Sequence, residues 1–193
     1  MKYYIEIILL SSNEIPLYFL WEKVYQQIHL ALVESQEPKG KVSIGVSFPE
    51  YNVKEHKLGN KLRLFSFNRD EIETLDIHRW LSRLKDYVHV SGIREVLGNI
   101  NEYAFFKRIQ TKSSNSRLAR RKARRDGISY EEALSFFNKH LEKNSDLPYI
   151  QMKSISSDKR YRLIIGYEKV DKTSNNEGFS TYGLSSSSSV PIF

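Results

Sequence analysis

The order in which two hydrophobic periods alternate across the first hundred residues is what most limits the folds open to this chain. Lys2 to Leu10 (KYYIEIILL) is rich in Tyr and Ile and predicts a strand. In PLYFLWEKVYQQIHLALVESQ, Leu17, Leu20, Val24, Ile28 and Ala31 recur at steps of three and four, the stripe of an amphipathic helix, and Pro16 suits its first position. KVSIGVSF (Lys41 to Phe48) alternates apolar and small residues before Pro49, and KLRLFSF follows a turn at Gly59 and Asn60, so both predict strands. Asn68 or Asp70 is placed to cap a helix through DEIETLDI, and YVHVSGIREV predicts a closing strand.

The order β-α-β-β-α-β is the ferredoxin-like supersecondary pattern, which makes the chain α+β in class. That pattern hosts many functions and names none of them. An RNA-recognition module of the common type would carry exposed aromatics on its central strands, and neither KVSIGVSF nor KLRLFSF supplies the pair. The second half is organised differently. FFKRIQTK predicts a strand, Ser113 to Ser116 offer helix caps ahead of RLARRKARR, and Asp126 with Gly127 stops that helix. SYEEALSFFNKHLEK predicts a second, amphipathic helix, and YIQMKSIS and RYRLIIGY predict strands joined by a turn at Ser157 to Lys159. The tail, with its run of serines, reads by composition as loop. Two domains are expected, 1–98 and 99–193.

RLARRKARR, residues 117 to 125, has six basic residues in nine, with no acid among them. The whole chain carries a net charge of +7, so this one segment accounts for nearly all of it. Charge concentrated in one place makes a field suited to a polyanion: nucleic acid, an anionic membrane or an acidic protein. Leu118, Ala119 and Ala123 cannot form the apolar face that a membrane-surface helix needs. A solvated basic helix is the plain alternative, but like charges at i,i+4 without interleaved acids favour contact with nucleic acid. On a helix Arg117, Arg121 and Arg125 form one row, with Arg120 and Arg124 in the next. Side chains ordinarily cannot read the deep major groove of A-form RNA, so an RNA target would be a short hairpin rather than a long duplex.

With no cysteine, disulfides and thiolate metal sites are excluded, which fits a reducing compartment. Glu6 interrupts the N-terminal apolar run and no small-residue cleavage site follows, so a strand is expected there rather than a signal peptide. No apolar stretch is long enough to span a bilayer, and a cytoplasmic location is expected. His29, His56, His78, His89 and His140 show no metal-ligand spacing, and no paired-Asp motif suggests a magnesium nuclease. No cofactor is expected. RNA brings its own nucleophile, however: a positioned His can take the proton of a 2′-hydroxyl, which then attacks the adjacent phosphate. His29, at the border of the apolar helix face, can play that part, although a histidine so placed is ordinarily structural or simply exposed. Ser154, Ser156 and Tyr182 could add hydrogen bonds, and nothing in their spacing brings them to His29. Arg108 and Gln110, at i and i+2 on a strand, could pair with guanine and adenine edges, while spacing alone reads them as the polar face of an exposed strand.

QIHLALVES, IGVSFPEY, LGNKLRLFSF, RIQTKS, RLARRKARR followed by EEA, DLPYIQMKSISS, YRLII, GFSTYGLS and the terminal VPIF stand in an order that resembles the type I-F CRISPR repeat-processing endoribonucleases, the Csy4-type Cas6 group. The resemblance runs nearly end to end. It implies a ferredoxin-like N-terminal domain carrying the catalytic His, and a C-terminal domain whose arginine-rich helix enters the major groove of the repeat hairpin. His29 matches the family's histidine base, Ser154 its serine that positions the nucleophile, and Tyr182 its orienting tyrosine. Arg108 and Gln110 match its base readers, Arg121 and Arg125 its hairpin grip, and Arg117, Arg120 and Arg124 would face phosphates. Tyr161 stands where the family has a Phe that stacks on a base, and Ser156 lies beside Ser154 on the RNA side. Departures are Asp126 and Gly127 after the basic helix, Ala119 and Ala123 within it, and the serine run before VPIF. The implied reaction is metal-independent cleavage of precursor CRISPR RNA at the 3′ base of the hairpin, leaving a 2′,3′-cyclic phosphate or 3′-phosphate and a 5′-hydroxyl. The implied partners are the retained crRNA and the other subunits of a type I-F surveillance complex. A non-catalytic hairpin-binding subunit is the alternative, and a DNA-binding regulator a third reading.

Overall fold

Pro16, Asp76 and Ser91 each interrupt the backbone at a residue whose chemistry requires it, and between them they divide the N-terminal part of the chain into its elements. The computed structural model describes residues 1–98, 100–110, 115–141, 146–174 and 178–193, without the side chains of 115–117 and 138–141. The chain forms two compact units, Met1–Arg108 with Pro148–Phe193, and Ile109–Leu147. The architecture mixes helices with two antiparallel sheets.

In the first unit, strand β1 (Tyr3–Leu9) leads to helix α1 (Leu17–Glu34), and β2 (Gly45–Ser47) and β3 (Lys61–Ser66) follow. Helix α2 (Arg69–Leu75), helix α3 (Ile77–Trp80) and a 3₁₀ turn (Ser82–Leu84) precede β4 (Val88–Val90) and β5 (Arg94–Glu95). The first sheet runs β2-β3-β1-β4, and β5 also pairs with β1. Every one of these pairings is antiparallel, with Ile7 opposite both Leu62 and Val90. Strands β6 (Tyr103–Ile109), β7 (Tyr149–Lys153), β8 (Arg160–Val170) and β9 (Val190–Pro191) form the second sheet, in the order β7-β8-β6-β9. One core joins them: Leu20, Val24, Ile28, Ala31 and Leu32 of α1 are buried, as are Leu62 and Leu64 of β3, Met152 of β7 and Leu163 of β8.

The departures from the sequence reading have local causes. Pro16 is the residue before the helix rather than its first, because its backbone is extended (φ −70°, ψ 151°). The expected strand over Lys41–Phe48 is only three residues long as β2, since Val42 pairs with Phe179 of the tail instead. The helix through DEIETLDI breaks at Asp76, which takes the left-handed conformation (φ 44°) and accepts a hydrogen bond from Arg79 N. Its carboxylate thereby supplies an N-cap to α3 in place of continued helix. The closing strand is split because the Ser91 hydroxyl accepts from Glu6 N at 2.9 Å, occupying a ladder position that a carbonyl would otherwise fill. The serine tail is loop in form but buried in place: Ser188 and Ser189 are almost inaccessible. Ser174 donates to the Ser189 hydroxyl and to the Ser187 carbonyl, and receives the Ser189 amide at 2.7 Å. Small side chains that carry their own hydrogen bonds let irregular backbone enter the interior without orphaned polar groups.

The second unit holds α4 (Asn115–Asp126) and α5 (Tyr130–Leu141). Ala119 and Ala133 are fully buried, so small residues let the helices approach closely. Gly127 ends α4 at φ +67°, and Ser129 Oγ accepts from Glu132 N at 3.1 Å to cap α5. Among the described residues, no helix is long and apolar enough to cross a membrane.

Gly183 fixes the tail against the first sheet. Its φ is +68°, its carbonyl accepts from Val46 N at 2.8 Å, and a Cβ added there would stand 2.2 Å from Val46 Cγ2. Gly183→Ala is therefore expected to destabilise the protein by about 1–3 kcal/mol, read as a lower urea midpoint with unchanged slope. A midpoint equal to that of the wild type would show that the loop absorbs the methyl group.

Candidate active site

His29 sits on α1, one residue beyond buried Ile28, with its ring half-buried. Its Nδ1 lies 2.8 Å from the Thr181 carbonyl oxygen. A carbonyl only accepts, so Nδ1 carries the hydrogen and the neutral ring keeps its free lone pair on Nε2. The Tyr182 ring lies flat on the imidazole, with centroids 4.2 Å apart and planes 5° apart. Two contacts hold that tyrosine. Tyr25, one helical turn before His29, donates its hydroxyl to the Tyr182 carbonyl at 2.8 Å, and the hydroxyls of Tyr161 and Tyr182 are 2.7 Å apart.

Arg108, near the end of β6, completes the cluster. Its guanidinium stands 5.1 Å from the centre of the Tyr182 ring and 5.7 Å from that of Tyr161. Electrostatics follow from this packing. Burial lowers the His29 pKa, the Thr181 hydrogen bond opposes that, and the Arg108 charge lowers it further. Burial, then the bond to Tyr182, raises the Tyr161 hydroxyl well above the ordinary tyrosine value, so it stays protonated. The arrangement offers a half-buried imidazole whose Nε2 keeps its lone pair, a phenol stacked on it and a guanidinium over that phenol. That set suits proton abstraction next to an anionic group.

Of the residues singled out in the sequence, His29, Tyr182, Tyr161 and Arg108 are brought together here. Ser154 follows β7 directly, and the preceding Lys153 donates its amide to Gln26 Oε1 at 3.2 Å, one turn of α1 before His29. The Ser154 hydroxyl is engaged within its own turn, with Ser157 Oγ at 2.9 Å and Ser156 Oγ at 3.3 Å, and Ser156 is exposed. β6 ends at Ile109, with Gln110 the next residue, and Arg108 and Gln110 are both exposed. Sequence reasoning missed Thr181 and Tyr25. Thr181 acts through its backbone carbonyl, which no side-chain pattern reveals, whereas Tyr25 had a signal in its i,i+4 spacing to His29.

On α4, Arg120, Arg121, Arg124 and Arg125 are exposed, and the Arg117 side chain lies outside the described residues. Asp126, just beyond the run, partners two of its cations. Its carboxylate pairs with Arg125 Nε at 2.7 Å and with Lys122 Nζ at 2.6 Å, and those hydrogen bonds hold its pKa down to about 2. Lys122 also lies 4.7 Å over the Phe136 ring. Among the described residues, no group of three or more His, Cys, Asp or Glu side chains could hold a metal ion.

Residues 4–193 match the family described as CRISPR-associated protein (Cas_Csy4). The chain belongs to the Cas_Csy4 family. It is 33% identical to the CRISPR-associated endonuclease Cas6/Csy4 of Pseudomonas aeruginosa (strain UCBPP-PA14) and 31% identical to that of Escherichia coli (strain UTI89 / UPEC). Both alignments cover all of this chain and all of the relative. Among solved structures, an RAMP protein binding different RNA substrates aligns over the whole of both chains at 14% identity and a TM-score of 0.37. That similarity is too slight to bear on the geometry of this Csy4-family chain.

The lowered pKa of His29 is directly measurable. Its imidazole titration, followed by NMR, is expected below the ordinary value of about 6.5, and Arg108→Gln is expected to move it upward by removing a neighbouring charge. A titration unmoved by that variant would show that burial alone sets it. The folded state binds the proton less readily, so stability present above the ordinary pKa declines as pH falls from that value through the lower folded-state pKa.

Proposed function

We propose that this chain is the endoribonuclease that processes precursor CRISPR RNA by cutting at the 3′ base of the repeat hairpin, without metal, and then keeps the crRNA product. The observation that carries the mechanism is the bond from His29 Nδ1 to Thr181, which leaves Nε2 unprotonated at neutral pH. Nε2 takes the proton of the 2′-hydroxyl, and the 2′-oxygen attacks the adjacent phosphorus. The bond from phosphorus to the 5′-oxygen breaks, that oxygen takes a proton from solvent to become a 5′-hydroxyl, and Nε2 returns its proton to solvent. The other end is a 2′,3′-cyclic phosphate, which hydrolysis converts to a 3′-phosphate. Ser154 steadies the nucleophilic hydroxyl, and Tyr182 holds the imidazole in plane.

Tyr161 stacks on a base beside the cut. Arg121 and Arg125 grip the hairpin, Arg117, Arg120 and Arg124 meet phosphates, and Arg108, Gln110 and Ser156 read or hold the adjoining nucleotides. The order β4-β1-β3-β2, antiparallel throughout, supports a ferredoxin-like arrangement of the N-terminal half. The functional partition follows: 1–98 carries the base and 99–193 the hairpin grip. Retention of product suits a subunit of a type I-F surveillance complex in the cytoplasm, because cleavage leaves the gripped stem intact.

The first test is incubation with the repeat hairpin in EDTA, followed by analysis of the RNA ends. A single cut with a cyclic or 3′-phosphate end is expected. His29→Ala should slow single-turnover cleavage by about 10²–10⁴-fold while leaving hairpin affinity nearly unchanged. Tight binding with no cut by the wild type would make the chain a hairpin-holding subunit. Asp126→Asn, which releases Arg125 and Lys122 from their shared carboxylate, is expected to tighten hairpin binding. It should also steepen the dependence of log K on log salt by up to about 0.9 for each cation that reaches a phosphate. Unchanged affinity would show that those two side chains do not meet the RNA.

A further inference from the structure

Ser180 to Gly183 form a tight turn whose own hydrogen bond runs from Gly183 N to the Ser180 carbonyl at 2.7 Å. That bond engages neither of the two carbonyls between its ends, those of Thr181 and Tyr182. Helix α1 takes up both from positions one helical turn apart: His29 Nδ1 lies 2.8 Å from the first, and the Tyr25 hydroxyl donates to the second at 2.8 Å. His29 is the general base of the proposed reaction, whereas Tyr25 is fully buried and touches no reacting atom. We propose that Tyr25 is a positioning residue for that reaction: its hydroxyl fixes the 180–183 turn on α1, and the turn in return fixes the tautomer and the plane of His29.

Two motions could take the Thr181 oxygen away from Nδ1. Reversal of the peptide between Thr181 and Tyr182, the change that separates the two common turn types, needs a positive φ at Tyr182. Tyr182 is not among the described residues that have one, and its Cβ opposes the change. The other motion is a swing of the whole turn away from the helix. One hydrogen bond leaves two groups free to swivel about it; a second, from the same rigid helix, removes that freedom. Because the Tyr182 Cα lies between the two held carbonyls, its ring is set against the imidazole as well, with the planes 5° apart. The hydroxyl of Tyr25 does this, not its ring. The ring stacks on Phe48 at 5.9 Å and lies 6.4 Å from Trp21, whose Nε1 donates to the Gly59 carbonyl at 2.9 Å. Those contacts would hold a phenylalanine in the same place, and only the oxygen reaches the turn. Burial, then the neighbouring Tyr182, raises the Tyr25 pKa well above the ordinary tyrosine value, so the group remains a donor. The other end of the turn is held by Ser180, whose hydroxyl donates to the Leu184 carbonyl at 2.9 Å.

This inference rests on the proposed cleavage reaction, and two readouts separate them. The first needs no RNA: the His29 tautomer, followed by nitrogen NMR of the imidazole and assigned by the signals lost in His29→Ala. Wild-type protein is expected to carry the hydrogen on Nδ1 alone, and Tyr25→Phe to show a mixture of the two tautomers. The second is single-turnover cleavage at saturating repeat hairpin, where Tyr25→Phe should lower the rate about ten-fold. Its affinity for a hairpin blocked by a 2′-deoxy residue at the cut should match that of the wild type, which also shows that the variant is folded. Added to His29→Ala, Tyr25→Phe should cause no further loss of rate, because it acts through the imidazole. If Tyr25→Phe does not fold, Ser180→Ala, which loosens the same turn from its other end, is expected to give the same mixed tautomers and the same slower rate. An unchanged tautomer or an unchanged rate overturns the assignment, and so does a further loss in the double variant. Should the wild type leave the hairpin uncut, the proposed function falls, while the tautomer still decides whether the turn orients His29.

Discussion

The hydrogen bond from His29 Nδ1 to the Thr181 carbonyl joins residues 152 apart in the chain. A free imidazole exchanges its proton between two nitrogens and rotates about its side-chain bonds; this one is fixed in tautomer by the carbonyl and in plane by the Tyr182 ring. Each contact is modest, about 1 kcal/mol for a hydrogen bond and about 0.5–1.5 kcal/mol for an aromatic pair. Orientation comes from having them at right angles to each other in function, one along the ring edge and one on its face. Both come from the same two residues of the tail, so the tail backbone must itself be held to a fraction of an ångström.

That requirement accounts for much of the C-terminal structure. Tyr25 holds the Tyr182 carbonyl, Val46 donates to the Gly183 carbonyl, and Val42 exchanges two backbone bonds with Phe179. Gly45 has no Cβ because Phe179 and Val190 already occupy that space, each within 2.6 Å of where one would stand. The short β2 is thus the result of a strand divided between two partners, β3 on one side and the tail on the other. The serines from 185 to 189 continue the same work, bonding to one another and to Ser174. Glycine and serine in this tail are the means by which irregular chain is packed inside.

Periodicity made α1 and its buried face legible before any coordinates, since burial imposes its repeat directly on residue type, while composition and caps marked β1, β3 and the basic helix. What was not legible depended on single polar atoms. The break at Asp76 and the split at Ser91 are side chains competing with backbone, and both occur within stretches whose apolar pattern continues unbroken. Compensation of the basic run by Asp126 was missed for a related reason: the acid lies just outside the run, and only the helix turn brings it beside Lys122 while its neighbour Arg125 folds back. The residues of the candidate site were named as a set only through family resemblance. Their assembly was not derivable, because Thr181 contributes only a carbonyl.

Tyr161 shows how one atom changes the mechanical character of such a site. A phenylalanine there would offer the same stacking face and no link to its surroundings. The hydroxyl binds that of Tyr182 at 2.7 Å, Tyr182 lies on His29, and the Arg108 charge stands over both phenol rings. Because burial keeps the Tyr161 hydroxyl protonated, it retains its hydrogen-bonding proton over the physiological pH range. In the proposed reaction the ring that meets a base at the cut is therefore coupled to the base that removes the proton. A nucleotide that seats Tyr161 correctly also holds the Tyr182 plane against the imidazole, while a poorly seated one pulls on both. In that proposal, binding energy from stacking would orient the general base and raise the rate only for RNA that fits.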